Sequence, residues 1–254
     1  MIGQSLLAGL RKLIRAAGFD VVRYEPRPPM HVEPWIAATI EAVAPYTMTS
    51  PQRIAALCEA TAYVAKSGIP GDIVECGVWR GGSMMAVART LLELRDATRH
   101  LYLFDTFEGM PPPSEEDRSL DGRPAADLLQ TEDKSDPRSV WCVAPLEGVQ
   151  AAMRSVGYDA SRMHFVKGRV EDTIPEQAPQ RIALLRLDTD WYESTRHELE
   201  HLFPRLSPGG VLIIDDYGHW QGARRAVDEY IERHRVPLLL HPIDYSARRA
   251  VKVG

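Results

Sequence analysis

From residue 71 onward, short apolar segments alternate with amphipathic stretches, and this rhythm constrains the chain more than any other feature. Residues 72–78 (DIVECGV), 100–107 (HLYLFDTF), 163–170 (MHFVKGRV), 182–190 (IALLRLDTD) and 210–217 (GVLIIDDY) read as strands. Residues 83–94, 143–156, 192–206 and 221–235 read as helices. Strands that are apolar along their length are buried on both faces, and parallel neighbours require a crossover helix between them. The alternation therefore predicts an α/β fold with a doubly wound, mostly parallel sheet. Residues 238–253 add a closing hairpin. The chain has 254 residues, 44% of them hydrophobic, enough for one large domain of this kind. No apolar run approaches the ~18 residues that span a bilayer.

The N-terminal part has a different character. Leu6, Leu7, Leu10, Leu13 and Ile14 share one helical face flanked by Arg11, Lys12 and Arg15. A short helix packed on its own domain is expected, with a membrane-surface or subunit-contact helix as the alternative. No secretory signal is expected, because the basic residues follow the first apolar ones and no small-residue cleavage site closes the stretch. Residues 24–34 are a proline-rich connector and 35–44 a short helix. Ser50 before Pro51 is an N-cap signal for a helix running to Gly68. The expected organisation is thus an N-terminal helix and connector over 1–34 and a main domain over 35–254. A formal charge of −5 gives no general attraction to nucleic acid. Cys58, Cys76 and Cys142 match no zinc or disulfide spacing, which points to a reducing, cytoplasmic setting.

Four features bear on chemistry. The turn after the first strand, Glu75-Cys76-Gly77-Val78-Trp79-Arg80-Gly81-Gly82-Ser83, allows close backbone approach and a sharp entry into a helix. It carries neither the dinucleotide fingerprint nor the phosphate-loop pattern, so it suits a nucleoside ligand without a pyrophosphate and argues against a nicotinamide-dependent oxidoreductase. Asp105 ends the second strand, where an acid hydrogen-bonds ribose hydroxyls in nucleotide-binding α/β folds. Asp188 and Asp190 end the fourth strand and Asp215 and Asp216 the fifth, gathering four carboxylates at one sheet edge. Such crowding needs a cation or shared protons, and oxygen-only donors suit Mg²⁺ or Mn²⁺. If the fourth strand persists, Asp188 and Asp190 share a side. Residues 197–201 (HELEH) match a zinc-protease pattern, but the apolar stripe Leu199, Leu202, Phe203 and Leu206 places both histidines on the solvent side. Finally, residues 108–138 interrupt the rhythm with nine acids against four bases. Following the second strand, this excursion reads as a lid or substrate loop, taken as 108–140.

Together VECGVWRGGS, FDTFEGMP, LRLDTDWYEST, LSPGGVLIIDDY and RRAVDEY resemble the macrocin O-methyltransferase family, whose members methylate sugar hydroxyls of tylosin, mycinamicin and novobiocin. The resemblance runs from about Thr47 to the C-terminus. It implies the S-adenosylmethionine-dependent methyltransferase variant of the doubly wound sheet. Glu75 to Ser83 would hold the methionine part of the cofactor and Asp105 its ribose. Gly168, Arg169, Val170, Glu171 and Asp172 would lie beside adenine, with Thr47 and Met48 closing over the cofactor. Asp190, Asp215 and Asp216 would bind Mg²⁺, and Asp188 would be the general base. The implied acceptor is a small glycosylated molecule, natural product or glycolipid, with a catechol-like phenol as the alternative. The resemblance also implies a homo-oligomer; charge and the lack of a long apolar run argue against a nucleic-acid partner and a stable membrane association.

Overall fold

The computed structural model describes residues 32–136 and 139–254. The expected N-terminal helix and most of the connector lie outside the described residues. Seven strands form one sheet in the order β3-β2-β1-β4-β5-β7-β6. They are β1 (Asp72–Cys76), β2 (Leu101–Asp105), β3 (Met163–Lys167), β4 (Ile182–Leu187), β5 (Leu206–Ile214), β6 (His241–Pro242) and β7 (Arg248–Val251). The first five pair in parallel. The C-terminal hairpin adds β7 antiparallel to β5. The predicted doubly wound sheet is therefore the observed one.

The helices are α1 (Pro34–Val43), α2 (Pro51–Lys66), α3 (Gly82–Glu93), α4 (Ala125–Thr131), α5 (Leu146–Ser155), α6 (Val170–Thr173), α7 (Tyr192–Leu202) and α8 (Gln221–His234). Helix α2 starts where the sequence signals it: the Ser50 hydroxyl accepts the Arg53 N–H at 3.2 Å, with Pro51 in the first turn. Helices α1, α2 and α3 pack on one another, and α2 reaches β4 and β5. Helices α7 and α8 pack together, and their Leu199, Leu202, Val227 and Tyr230 join Val74, Cys76, Leu185 and Leu212 in the core. None of the described helices is long and apolar enough to cross a membrane.

Several boundaries shift, and the shifts matter for the site. Strand β3 stops at Lys167, and Val170 opens α6 instead of continuing the strand. Strand β4 stops at Leu187, so strand alternation does not govern Asp188 and Asp190. The Trp191 N–H bonds to the Thr189 carbonyl at 2.7 Å, and Asp190 between them has φ +67°. An i to i+2 bond across a positive φ marks a rare, strained γ-turn. The acidic excursion is also more ordered than a solvated loop. It contains α4, whose Ala125 and Leu129 pack with Trp191 and Trp220.

Strand order places the switch point between β1 and β4, where ligands bind at the carboxyl ends of strands in such sheets. Gly77 makes the two strand ends meet there. It has φ +82°, and a Cβ on it would lie 1.9 Å from the Asp188 carbonyl oxygen. Its bareness serves backbone packing against Asp188 directly, before any ligand is considered. Gly77→Ala should therefore destabilise the fold. The left-handed backbone costs about 1–2 kcal/mol, and the overlap adds about 1–3 kcal/mol. Urea denaturation with an unchanged midpoint would reject this account.

Candidate active site

The carboxyl ends of β1, β2, β4 and β5 open into a cavity of about 310 Å³. One wall is the glycine turn. Gly77, Val78, Trp79, Gly82 and Ser83 line it, and a Cβ on Gly82 would lie 2.5 Å from the Tyr46 carbonyl oxygen. That closeness brings Tyr46, Thr47, Met48 and Thr49 over the cavity as a second wall. Asp105, Gly168, Arg169, Val170 and Glu171 line a third side.

Five residues of the expected cofactor set do not line the cavity, each for a local reason. Glu75 is fully buried beneath it, paired with Arg186. Cys76 belongs to the core between sheet and helices. The Arg80 guanidinium stacks on the Trp79 ring 4.8 Å from its centroid. Gly81 is the left-handed N-cap of α3. Asp172 sits within α6, its N–H bonded back to the Arg169 carbonyl. Asp105 does reach the wall, but its carboxylate is already engaged. One oxygen accepts the N–H groups of Val78 and Trp79 at 2.7 and 3.0 Å, and the other accepts that of Phe107 at 2.7 Å. The Thr106 hydroxyl lies 3.5 Å from that second oxygen, so four donors surround the carboxylate and fix its orientation. Burial raises its pKa, and the three N–H groups and the Thr106 hydroxyl oppose that shift.

The opposite side of the cavity is acidic. Asp188, Asp190, Asp215 and Asp216 all line it. Two arginines that the sequence motifs did not single out hold this group in place. Arg186, 3% exposed, donates to Glu75 at 2.6 Å and to Asp188 at 2.7 Å through one nitrogen. Its other nitrogen donates to Asp215 at 2.6 Å and to the Thr49 hydroxyl at 3.2 Å. Arg53, from α2, bonds the second oxygen of Asp215, and its Nε donates to Asp244 at 2.7 Å. Burial raises the Asp244 carboxyl, but Arg53, Ser50 and the N–H groups of Ala247 and Ser246 outweigh it and hold the group down at about 2. A lone arginine in the apolar run IALLRL is a signal for a buried ion pair. Asp244 carried no comparable signal.

The remaining charge is unbalanced. Among the described residues, Arg53 and Arg186 are the cations paired with Glu75, Asp188 and Asp215, and Asp190 and Asp216 add two further carboxyls to the same site. Burial and the neighbouring Asp188 push Asp190 up to about 7. Burial, Asp190 and Asp215 push Asp216 well above its ordinary range. One oxygen of Asp216 is buried without a hydrogen-bond partner. Carboxylate oxygens of Asp188, Asp215 and Asp216 lie within 4.8 Å of one another, and no other group of three or more acidic, histidine or cysteine ligands was found among the described residues. An all-oxygen cluster with surplus negative charge and an unpartnered oxygen fits a hard divalent cation. Asp190, on the strained turn, is not one of these three, but it sits close enough to Asp216 for each to shift the other's carboxyl.

The HELEH segment is not a metal centre of this kind, though its histidines are not free in solvent either. His197 and His201 are half-buried with ring centroids 4.4 Å apart, and His197 Nε2 lies 2.9 Å from the Ile174 carbonyl. The glutamate between them, Glu198, is the fully buried member.

The excursion borders the same cavity. Gly109, Met110, Pro111, Ser139, Val140 and Cys142 line it. Trp191 Nε1 donates to the Pro111 carbonyl at 2.9 Å, and buried Asp117 accepts the Tyr192 N–H at 2.7 Å.

Residues 35–249 match the family model for macrocin O-methyltransferase. A tetracenomycin-C rhamnoside 4'-O-methyltransferase of Streptomyces olivaceus is 36% identical over 199 residues, 78% of this chain and 72% of that one. The mycinamicin III 3''-O-methyltransferase of Micromonospora griseorubida is 36% identical over 193 residues, 75% of this chain and 72% of the other. Among solved structures, the O-methyltransferase NovP superposes with a TM-score of 0.72 at 28% identity, covering 82% of this chain and 83% of its own. The chain belongs to the macrocin O-methyltransferase family and is, by that membership, an S-adenosylmethionine-dependent O-methyltransferase.

Proposed function

We propose that this enzyme methylates a sugar hydroxyl of a small glycosylated molecule with the help of a bound divalent cation, Mg²⁺ or Mn²⁺. The observation that carries the reading is the meeting, in one cavity, of the glycine-turn wall and the carboxylate cluster. The relatives that act on tetracenomycin and mycinamicin glycosides support the acceptor class.

Gly77, Val78, Trp79, Gly82 and Ser83 would receive the methionine part of S-adenosylmethionine, Asp105 its ribose, and the 168–171 segment its adenine. Thr47 and Met48 would cover it. The cofactor supplies an already activated methyl group, so the chain's task is alignment and proton removal. Asp188, Asp215 and Asp216 would hold the cation, whose contribution is to lower the pKa of a coordinated hydroxyl. Asp190 would take the hydroxyl proton. This reverses the division of Asp188 and Asp190 expected from the sequence. The compact Asp188, Asp215 and Asp216 cluster supports it, as does the position of Asp190 on the strained turn beyond β4. Arg186 and Arg53 orient Asp188 and Asp215, and the docked excursion keeps water from the acceptor.

Two measurements check this reading. S-adenosylhomocysteine at about 100 times its Kd should stabilise the fold by about 2.7 kcal/mol, and NAD should give no rise in melting temperature. Stabilisation by NAD alone would overturn the cofactor assignment. The second is a Mg²⁺ titration of methyl transfer to the demethyl glycosides used by the tetracenomycin and mycinamicin relatives. Asp188→Asn and Asp216→Asn should regain part of their rate at high Mg²⁺. Asp190→Asn should lose about 10²–10⁴-fold and regain nothing. Wild-type activity that survives EDTA would remove the cation from the mechanism, and metal rescue of Asp190→Asn would restore the opposite division of roles.

A further inference from the structure

Glu198 has no part in the chemistry above, yet it is fully buried beneath the site. It projects from the second turn of α7 towards the carboxyl end of β4. Its Oε1 accepts the Thr189 hydroxyl at 3.0 Å, and its Oε2 is buried with no partner. Thr189 stands between Asp188 and Asp190 and supplies the carbonyl that closes the strained turn at Asp190. Such a turn persists only where its surroundings over-determine it. Three contacts do so here. The Asp188 N–H bonds to the Cys76 carbonyl at 2.9 Å. The Trp191 indole bonds to Pro111 at 2.9 Å. The Thr189 hydroxyl is held from below by Glu198, the one side chain seen gripping the turn at this residue.

We propose that Glu198 is a positioning residue: by clamping Thr189 it fixes the turn that aims Asp188 and Asp190 into the cavity. The role in methyl transfer rests on the reading of these two aspartates given above. Burial, and then the neighbouring acids Glu171, Asp188 and Asp216, hold the Glu198 carboxyl well above its ordinary range. It therefore serves as a neutral hydrogen-bonding group, which glutamine can imitate and methionine cannot. The same chemistry separates it from the catalytic glutamate of a zinc protease, which must ionise.

The test uses the full chain and needs no ligand for its first arm. Amide hydrogen exchange is followed across residues 188–202. Glu198→Met and Thr189→Val should each speed exchange at 188–191 by about tenfold or more, with 194–202 unchanged. Glu198→Gln and Thr189→Ser should stay within about threefold of wild type, and the double variant Glu198→Met with Thr189→Val should resemble either single one. Unchanged exchange in the turn for Thr189→Val would overturn the clamp. So would an even rise along the whole of α7, which reports helix stability instead, or failure of glutamine to substitute. In the second arm, kcat for the demethyl glycosides should fall about 10–100-fold in Glu198→Met while KM for S-adenosylmethionine holds. An unchanged kcat would overturn the positioning role. If the wild type methylates none of these glycosides, the acceptor reading fails, and hydrogen exchange still decides the clamp.

Discussion

The guanidinium of Arg186 is the interaction on which the site depends. Buried at the end of β4, it reaches Glu75 on β1, Asp188 just past β4, Asp215 just past β5 and Thr49 in the segment over the cavity. A planar fork with five N–H donors can serve four acceptors at once, and a lysine could not. Buried ion pairs contribute little net stability compared with apolar packing, but removing one partner leaves the others uncompensated at about 3–5 kcal/mol. The network is therefore better understood as a device for placing carboxylates than as a source of stability. It holds three acids at fixed positions in a site where mutual repulsion would otherwise drive them apart or protonate them.

The backbone completes what the arginine begins. Parallel strands end together, so the residues following β4 and β5 are neighbours by construction. Left-handed glycine geometry at Gly77 lets β1 press against the Asp188 carbonyl, and the positive φ at Asp190 takes that residue off the strand path. Two carboxylates that would be equivalent on a regular strand thereby receive different environments. One joins the Asp215 and Asp216 cluster in the grip of Arg186, and the other sits on the strained turn beside Asp216. Unequal environments are what allow chemically identical groups to take different roles.

Much of this was legible in the sequence because it follows from short-range pattern. Alternating apolar strands and amphipathic helices define the sheet, and acids placed just after apolar runs, as in LIIDDY, define its active edge. The glycine turn was recognisable, although only part of it faces the cavity. The parts that could not be read depend on contacts between distant segments or on local departures from regularity. Arg53 and Asp244 are 191 residues apart and have no pattern in common. The end of β4 at Leu187 is set by the turn that follows, and a strand-period argument carries past it. Glu198 illustrates a third case. Thr195, Glu198, Leu199 and Leu202 are all buried and fall at helical spacing, but a stripe traced through apolar residues alone passes over the threonine and the glutamate. Polar residues belong in such a stripe when a buried partner is available to satisfy them.

The acidic excursion raises the converse problem, since negative charge near a negative site is unfavourable. Its charge is handled locally. Asp117 is buried but spends both oxygens on N–H and hydroxyl donors of Ser114 and the first turn of α7. Glu116 meets Arg225, and Glu108 meets Lys167 at 2.6 Å. What the excursion offers the cavity is mostly backbone and apolar or small side chains, from Gly109 to Pro111 and at Ser139, Val140 and Cys142. The sheet edge carries the ionisable groups and the excursion carries shape. Two contacts dock the excursion on the sheet edge: Pro111 accepts the Trp191 indole N–H, and Asp117 caps the first turn of α7. Both anchors hold the two residues that follow Asp190, so the excursion is tied to the chain directly after the carboxylate proposed to receive the acceptor's proton.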